Sequence, residues 1–194
     1  LGEKLGLYSE VGGLLELRWP GKSQRTVLSI RTRVLQPDSV EDRNDLNELW
    51  NCMATDHMDS VIGVRDWHYL THRYFHHPEK RYELILVRRR LTGTPIGLLV
   101  LRKEETAVAL VDLICQFKYI KILIKEAKRL THLWKCNSLY TWISRQHANR
   151  FTSKDISIRD IDLSIPTNAW VPQPFNTHQL FDRWWLTMGD TDFL

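Results

Sequence analysis

The stretch AVALVDLICQFKYIKILIKEAKRLTHLWK, residues 107–135, changes its period once, and the change decides the fold class. Residues 107–114 are apolar except for Asp112 and read as a strand, with Asp112 turned to one face between Val111 and Leu113. After Cys115 the spacing becomes helical. Ile120, Leu123, Ile124, Ala127, Leu130 and Trp134 share one face, and lysines fill the other. A long amphipathic helix following a buried strand must pack back onto a sheet.

Upstream of this stretch, YELILVRR (82–89) and TPIGLLVLRK (94–103) are two further strands, with Gly93 and Glu104-Glu105 in the turns. Links this short favour antiparallel neighbours. Before them, TVLSIRTRVL (26–35) alternates as a half-buried strand, stopped by Gln36-Pro37-Asp38-Ser39. Ser39 can cap a helix whose apolar stripe is Leu46, Leu49, Trp50 and Met53. A second helix runs through VRDWHYLTHRYFHH and ends before Pro78, with Trp67, Leu70, Tyr74 and Phe75 on its buried side. Downstream, SLYTWI (138–143) is a short buried strand and RQHANRF a brief helix. SIRDIDLSI (157–165) alternates as a strand, a loop spans 166–179, and RWWLTM forms a last strand before the polar tail GDTDF. The order β-α-α-β-β-β-α-β-α-β-β predicts a mixed α/β (α+β) fold with one mostly antiparallel central sheet and helices on both faces.

Bulk composition agrees with a packed domain. The 194 residues are 43% hydrophobic and 26% charged, enough to bury a core. No apolar run reaches the roughly 20 residues that span a bilayer, so no membrane partner is expected. The formal net charge is +4 and dispersed apart from Arg88-Arg89-Arg90. That run reads first as a solvated strand end, and a nucleic-acid partner is not expected. Cys52, Cys115 and Cys136 are odd in number, far apart and set among apolar neighbours, which suits reduced thiols in the cytoplasm. His68, His72 and His76 stand at helical spacing, but no third ligand type accompanies a pair, and no metal site is expected.

With these elements in order, the sequence from about residue 26 onward resembles the GCN5-related N-acetyltransferase superfamily, the acyl-coenzyme A N-acyltransferases. RDWHYLTHRYFHHP is similar to the second helix of a bacterial subgroup, and RWWLTMGDTDF to the aromatic strand and tail that close some of its members. The opening LGEKLGLY, residues 1–8, is similar to the segment joining the superfamily's fourth helix to its sixth strand. The resemblance therefore implies that residues 1–20 are the tail of a preceding acetyltransferase-like domain and residues 24–194 a second, complete one. An N-terminal hairpin internal to one domain is the alternative.

The resemblance also implies a site. Acetyl-coenzyme A, or another acyl-coenzyme A, would lie where the fourth strand meets the long helix, its pyrophosphate on the helix N-terminus. That stretch is Leu113, Ile114, Cys115, Gln116, Phe117, Lys118 and Tyr119. It lacks the glycines that usually let backbone approach phosphate, so the sequence departs from the family there. Asp112 is the candidate base for the acceptor amine, and Tyr140 the candidate acid, with His147 as a second substitute whose plain alternative is a helix-surface His. In the family's usual Tyr slot the two copies carry Gly2 and Thr152. The plain alternative for Tyr140 is a packed strand residue. Gly189-Asp190-Thr191-Asp192 could hold a cation or an amine, or could simply cap a terminus. The resemblance implies an N-acyltransferase for a small amine or amino sugar, partnered by its neighbouring domain or by a second copy. The alternative is a catalytically inactive module that binds a ligand or pairs with another domain. Phe117, Tyr119 or Trp142 filling the gap between the fourth and fifth strands would favour the inactive module.

Overall fold

The computed structural model describes residues 7–22, 25–168 and 176–191. Seven strands form one sheet: β1 (Tyr8–Pro20), β2 (Ile30–Val34), β4 (Glu83–Arg89), β5 (Pro95–Lys103), β6 (Ala107–Ile114), β7 (Ser138–Ser144) and β8 (Ser157–Asn168). Their spatial order is β2-β4-β5-β6-β7-β1-β8. Every neighbouring pair is antiparallel except β6 and β7. This is the expected mixed fold with a mostly antiparallel sheet.

The helices form where the apolar spacing places them. Helix α1 (Val40–Asp56) is capped by Ser39, whose hydroxyl accepts from the Asp42 N–H at 3.2 Å, and it buries Leu46, Leu49 and Met53. Helix α3 (Ile120–Leu133) buries Ile120, Leu123, Ile124 and Ala127 against the sheet. The predicted second helix is broken in two. A single α-turn, α2 (Trp67–Leu70), passes into a π-helical turn, Thr71–Phe75, closed by the His76 N–H on the Thr71 carbonyl at 3.0 Å. Arg145–Phe151 is a 3₁₀ turn.

At the start of the described chain, β1 is an interior strand between β7 and β8, with Leu15 opposite Ile143 and Leu17 opposite Thr141. Leu17 and Trp19 are fully buried in the main core, and Val11 and Leu14 join Ile165 in a second, smaller cluster. Both partners of β1 lie far along the chain. Within RWWLTM, only β9 (Trp184–Trp185) is a strand, and it pairs in parallel with β3 (Val61–Ile62), outside the large sheet. The slot beside β7 is already taken by β1. A short helix, α4 (Thr177–Leu180), precedes β9. The first six residues and the last three, including Gly2 and Asp192, lie outside the described residues. No helix is long and apolar enough to cross a membrane.

Candidate functional site

The parallel pair β6–β7 is short. Ala107, Val108 and Ala109 face Ser138, Leu139 and Tyr140, and beyond them the strands are no longer paired. A gap opens between the end of β6 and the end of β7, bridged first by the Thr141 hydroxyl, which donates to the Leu110 carbonyl at 2.7 Å.

The rest of the gap is crossed by the C-terminal segment 183–191. Thr187 bridges to Ile143. The Ser144 N–H donates to the Leu186 carbonyl at 3.1 Å, and the Leu186 N–H donates to the Ser144 hydroxyl at 2.7 Å. On the β6 side the Thr187 hydroxyl donates to Asp112 Oδ1 at 3.2 Å. The segment thus stands between the two strands where a cleft would open.

Asp112 anchors this crossing. It is 1% exposed, and its oxygens accept from four donors. These are Arg65 Nε at 3.2 Å, the Tyr74 hydroxyl at 3.0 Å, Thr187 Oγ1 at 3.2 Å and the Leu113 N–H at 2.9 Å. Arg65, fully buried, also donates to Asp190 Oδ2 at 2.5 Å and to the Gly63 carbonyl at 2.7 Å. Burial opposes the Arg65 charge, but Asp112 and Asp190 more than offset it and raise its pKa. Burial raises the Asp190 carboxyl above its ordinary range despite Arg65. Tyr74 is pushed well up by burial and by Asp112. The π turn sends Arg73 to the same segment, its Nε and Nη2 donating to the Gly189 and Thr191 carbonyls at 2.9 and 2.7 Å. Asp112, named as the candidate base, is therefore the buried counter-ion of Arg65, with its acceptor positions taken.

Tyr140, the candidate acid, lies elsewhere. It sits in the paired part of β7, opposite Ala109 and Arg18, and shares no partner with Asp112. Its hydroxyl donates to Glu104 Oε1 at 2.8 Å, and the Arg18 guanidinium lies 4.5 Å from its ring centroid. Burial and the Glu104 carboxylate push it up to about 12, so it holds its proton at neutral pH.

The stretch implied to hold the cofactor is closed. Leu113, Ile114 and Cys115 are core residues. At the turn Phe117–Tyr119 that opens α3, the Phe117 N–H donates to Asp56 Oδ2 at 2.6 Å. The Tyr119 N–H goes to the Gln116 carbonyl and the Ile120 N–H to the Phe117 carbonyl. A carboxylate from the end of α1 therefore occupies the place that a phosphate would take on this helix. Lys118 is exposed, and Tyr119 turns to Arg89, whose Nη2 is 3.3 Å from its hydroxyl.

Of the three aromatics that could close the gap, Phe117 does so, while Trp142 lies opposite Glu16. The Phe117 ring packs against His57 (centroids 4.6 Å apart) and Trp185 (5.8 Å), and Arg150 Cζ lies 3.6 Å from its centroid. His147 and Phe151 complete the plug against Trp185, at 4.9 and 6.1 Å. His57 and His147 are 2% and 7% exposed, and none of their four ring nitrogens finds a partner among the described residues. Burial, then neighbouring positive charge, depresses them to about 3 and about 4, so both are neutral at pH 7. The sequence offers His147 only as a substitute acid and gives no sign of the plug, which depends on α1, the turn after β7 and the segment 183–191 meeting in space.

These features do not fit acyl-coenzyme A: the helix end is capped by an anion, no glycine lies in residues 113–121, and the gap is filled by rings and by the segment 183–191. Among the described residues no group of three or more His, Cys, Asp or Glu side chains is placed to hold a metal, although the His68 and His72 rings lie 4.5 Å apart.

No model of a known family matches the chain, and no curated protein matches its sequence. Solved structures do match its fold. A conserved Enterococcus faecalis protein of unknown function, described as a probable N-acyltransferase, superposes with a TM-score of 0.62 at 9% identity, over 87% of this chain and 42% of that one. A GCN5-related N-acetyltransferase from Anabaena variabilis gives 0.55 at 11% identity, over 81% and 40%. One from Kribbella flavida gives 0.51 at 12% identity, over 81% and 38%. The chain spans less than half the length of each of these three proteins. With its β6–β7 fork and with these neighbours, the chain has the fold of the GCN5-related N-acetyltransferases, the acyl-coenzyme A N-acyltransferase fold.

Proposed function

We propose that this chain is a catalytically inactive acetyltransferase-fold unit of a longer N-acyltransferase, in which it pairs with a neighbouring acetyltransferase-like unit that carries the chemistry. The observation that carries this reading is the Asp56 carboxylate on the Phe117 N–H at 2.6 Å. A fixed carboxylate there repels the pyrophosphate that the fold would otherwise hold, and the dipole of α3 is spent on it. The ring plug and the fully engaged Asp112 point the same way. The share of the neighbours' length that the chain spans supports a longer parent. A second copy of the chain is the alternative partner.

The test is calorimetric titration of the chain with acetyl-coenzyme A and with longer acyl-coenzyme A species. The expected result is no saturable heat at millimolar ligand. Micromolar binding would overturn the reading in favour of an acyltransferase for a small amine or amino sugar, which the retained fork between β6 and β7 favours on its own.

A further inference from the structure

The spacing of His68, His72 and His76 offers two equivalent pairs in the sequence, and folding separates them. His68 lies in α2 and His72 in the π-helical turn that follows. Their rings meet, with centroids 4.5 Å apart and planes at 71°. His76 has already left the turn. It is the residue that closes it, with φ −101° and ψ 19°, and among the described residues its ring touches neither of the other two. His68 and His72 are exposed, and among the described residues their rings make no hydrogen bond, so their nitrogens are open to a ligand. Both line one groove of about 650 Å³, together with Val64, Asp66, Tyr69 and Arg73. The two charged groups of that lining are already engaged. Asp66 Oδ1 accepts from the Tyr69 N–H at 2.9 Å, and Arg73 donates to the Gly189 and Thr191 carbonyls.

Two imidazoles one turn apart on one face form a bidentate chelate for a borderline divalent ion. Metal–nitrogen bonds of roughly 2.0–2.1 Å put the two coordinating nitrogens of one ion about 3 Å apart. Rings with centroids 4.5 Å apart reach that separation by small side-chain rotations. We propose that His68 and His72 chelate one Zn²⁺ or Cu²⁺ ion, with water in its remaining positions. Such an ion would clamp α2 to the π turn. That turn carries Arg73 and Tyr74, which hold Gly189, Thr191 and Asp112. Ion binding would therefore stiffen the support on which the segment 183–191 rests.

The test is calorimetric titration of the untagged chain with Zn²⁺ in a non-coordinating buffer. Saturable one-site binding is expected, with a rise in Tm at saturating ion. His68→Ala and His72→Ala should each weaken it by about tenfold or more, because each removes half of the chelate. His76→Ala should leave affinity unchanged, as should His132→Ala, which removes an exposed imidazole from the last turn of α3. Electron paramagnetic resonance of the Cu²⁺-loaded chain should show two nitrogen ligands, and one in either single variant. Mg²⁺, which prefers oxygen ligands, should not bind. Circular dichroism checks that each variant is folded. Absence of saturable heat at millimolar Zn²⁺ would overturn the proposal, as would wild-type affinity in both single variants. A loss in His76→Ala equal to that in His68→Ala would overturn it in favour of the other pair. An equal loss in His132→Ala would overturn it in favour of adventitious surface binding only.

Discussion

Asp56, the last residue of α1, accepts the Phe117 N–H in the turn that opens α3 at 2.6 Å, so a carboxylate of the chain itself caps that helix end. The contact joins two helices across 61 residues, and its loss should be felt in stability before function. Asp56→Ala should destabilise the chain by about 1 kcal/mol, as for a lost N-cap, while Asp56→Asn, which keeps an acceptor oxygen, should cost less. Urea denaturation measures both. Neither variant alone should bind acetyl-coenzyme A, because the Phe117–Trp185 packing remains in the gap. Gain of binding in Asp56→Ala would show that the carboxylate is the sole barrier.

The sheet could be read from the sequence because its signals are local. Alternation through residues 82–103, the short turns, and the switch to helical spacing after Cys115 each rest on contiguous residues. The roles of Asp112 and Phe117 could not be read in this way. Asp112 looks like a lone acid in an apolar strand, yet its partner Arg65 lies 47 residues upstream and the second acid on Arg65 lies 125 residues from it. The closed gap depends on where the C-terminal segment passes, and no periodicity in a two-residue strand announces that. The missing glycines in 113–121 were the one local sign that phosphate would not be held. The apolar residues of β1 point to burial without showing which strands lie beside it.

The imidazoles of the plug give the fold an acid-sensitive point. His57 and His147 titrate near pH 3 and 4 in the folded chain and near 6.5 when unfolded. Between those values the unfolded state binds more protons, so stability rises with pH there and is lost as pH falls below about 6.5. Lowered carboxyl pKa values, such as those of Asp42 and Glu16, act only nearer pH 4. The charges facing the pair are Arg65 and Arg150, and neither histidine is relieved by a carboxylate of its own among the described residues. Thermal melts should therefore show Tm falling between pH 7 and pH 5, and His147→Phe should flatten that slope. An unchanged Tm across this window would contradict burial of neutral imidazoles.

Gly189 is the close-approach point of the segment that fills the gap. A Cβ there would run into the Tyr74 hydroxyl and lie 3.2 Å from Asp112 Oδ2. Tyr74 is held by its own bond to Asp112 and cannot swing aside without breaking it. Gly189→Ala should cost about 1–3 kcal/mol, in the range of an overpacked core. It should also loosen the packing of Trp185, so that tryptophan emission moves to longer wavelength before global unfolding in a urea titration. Wild-type stability would mean that the segment is more weakly seated than the contacts imply.

The buried arginine sets the largest expected effect. Arg65 is the shared counter-ion of Asp112 and Asp190, and it is fully desolvated. Replacing it with Met leaves two acids without their cation, and breaking a buried pair this way costs about 3–5 kcal/mol. The Asp112→Leu change alone leaves the buried guanidinium with a single acid, Asp190, and should also be severe. Combining Arg65→Met with Asp112→Leu removes both charges of the main pair and should recover part of the loss, because the penalty arises from the unpaired ion more than from the missing bond. Chemical denaturation of the two single variants and the double variant forms the cycle. A double variant as unstable as the sum of the singles would mean that Arg65 and Asp112 do not act as a pair, and that the segment 183–191 is held in the gap by its bonds to β7, β3 and Arg73.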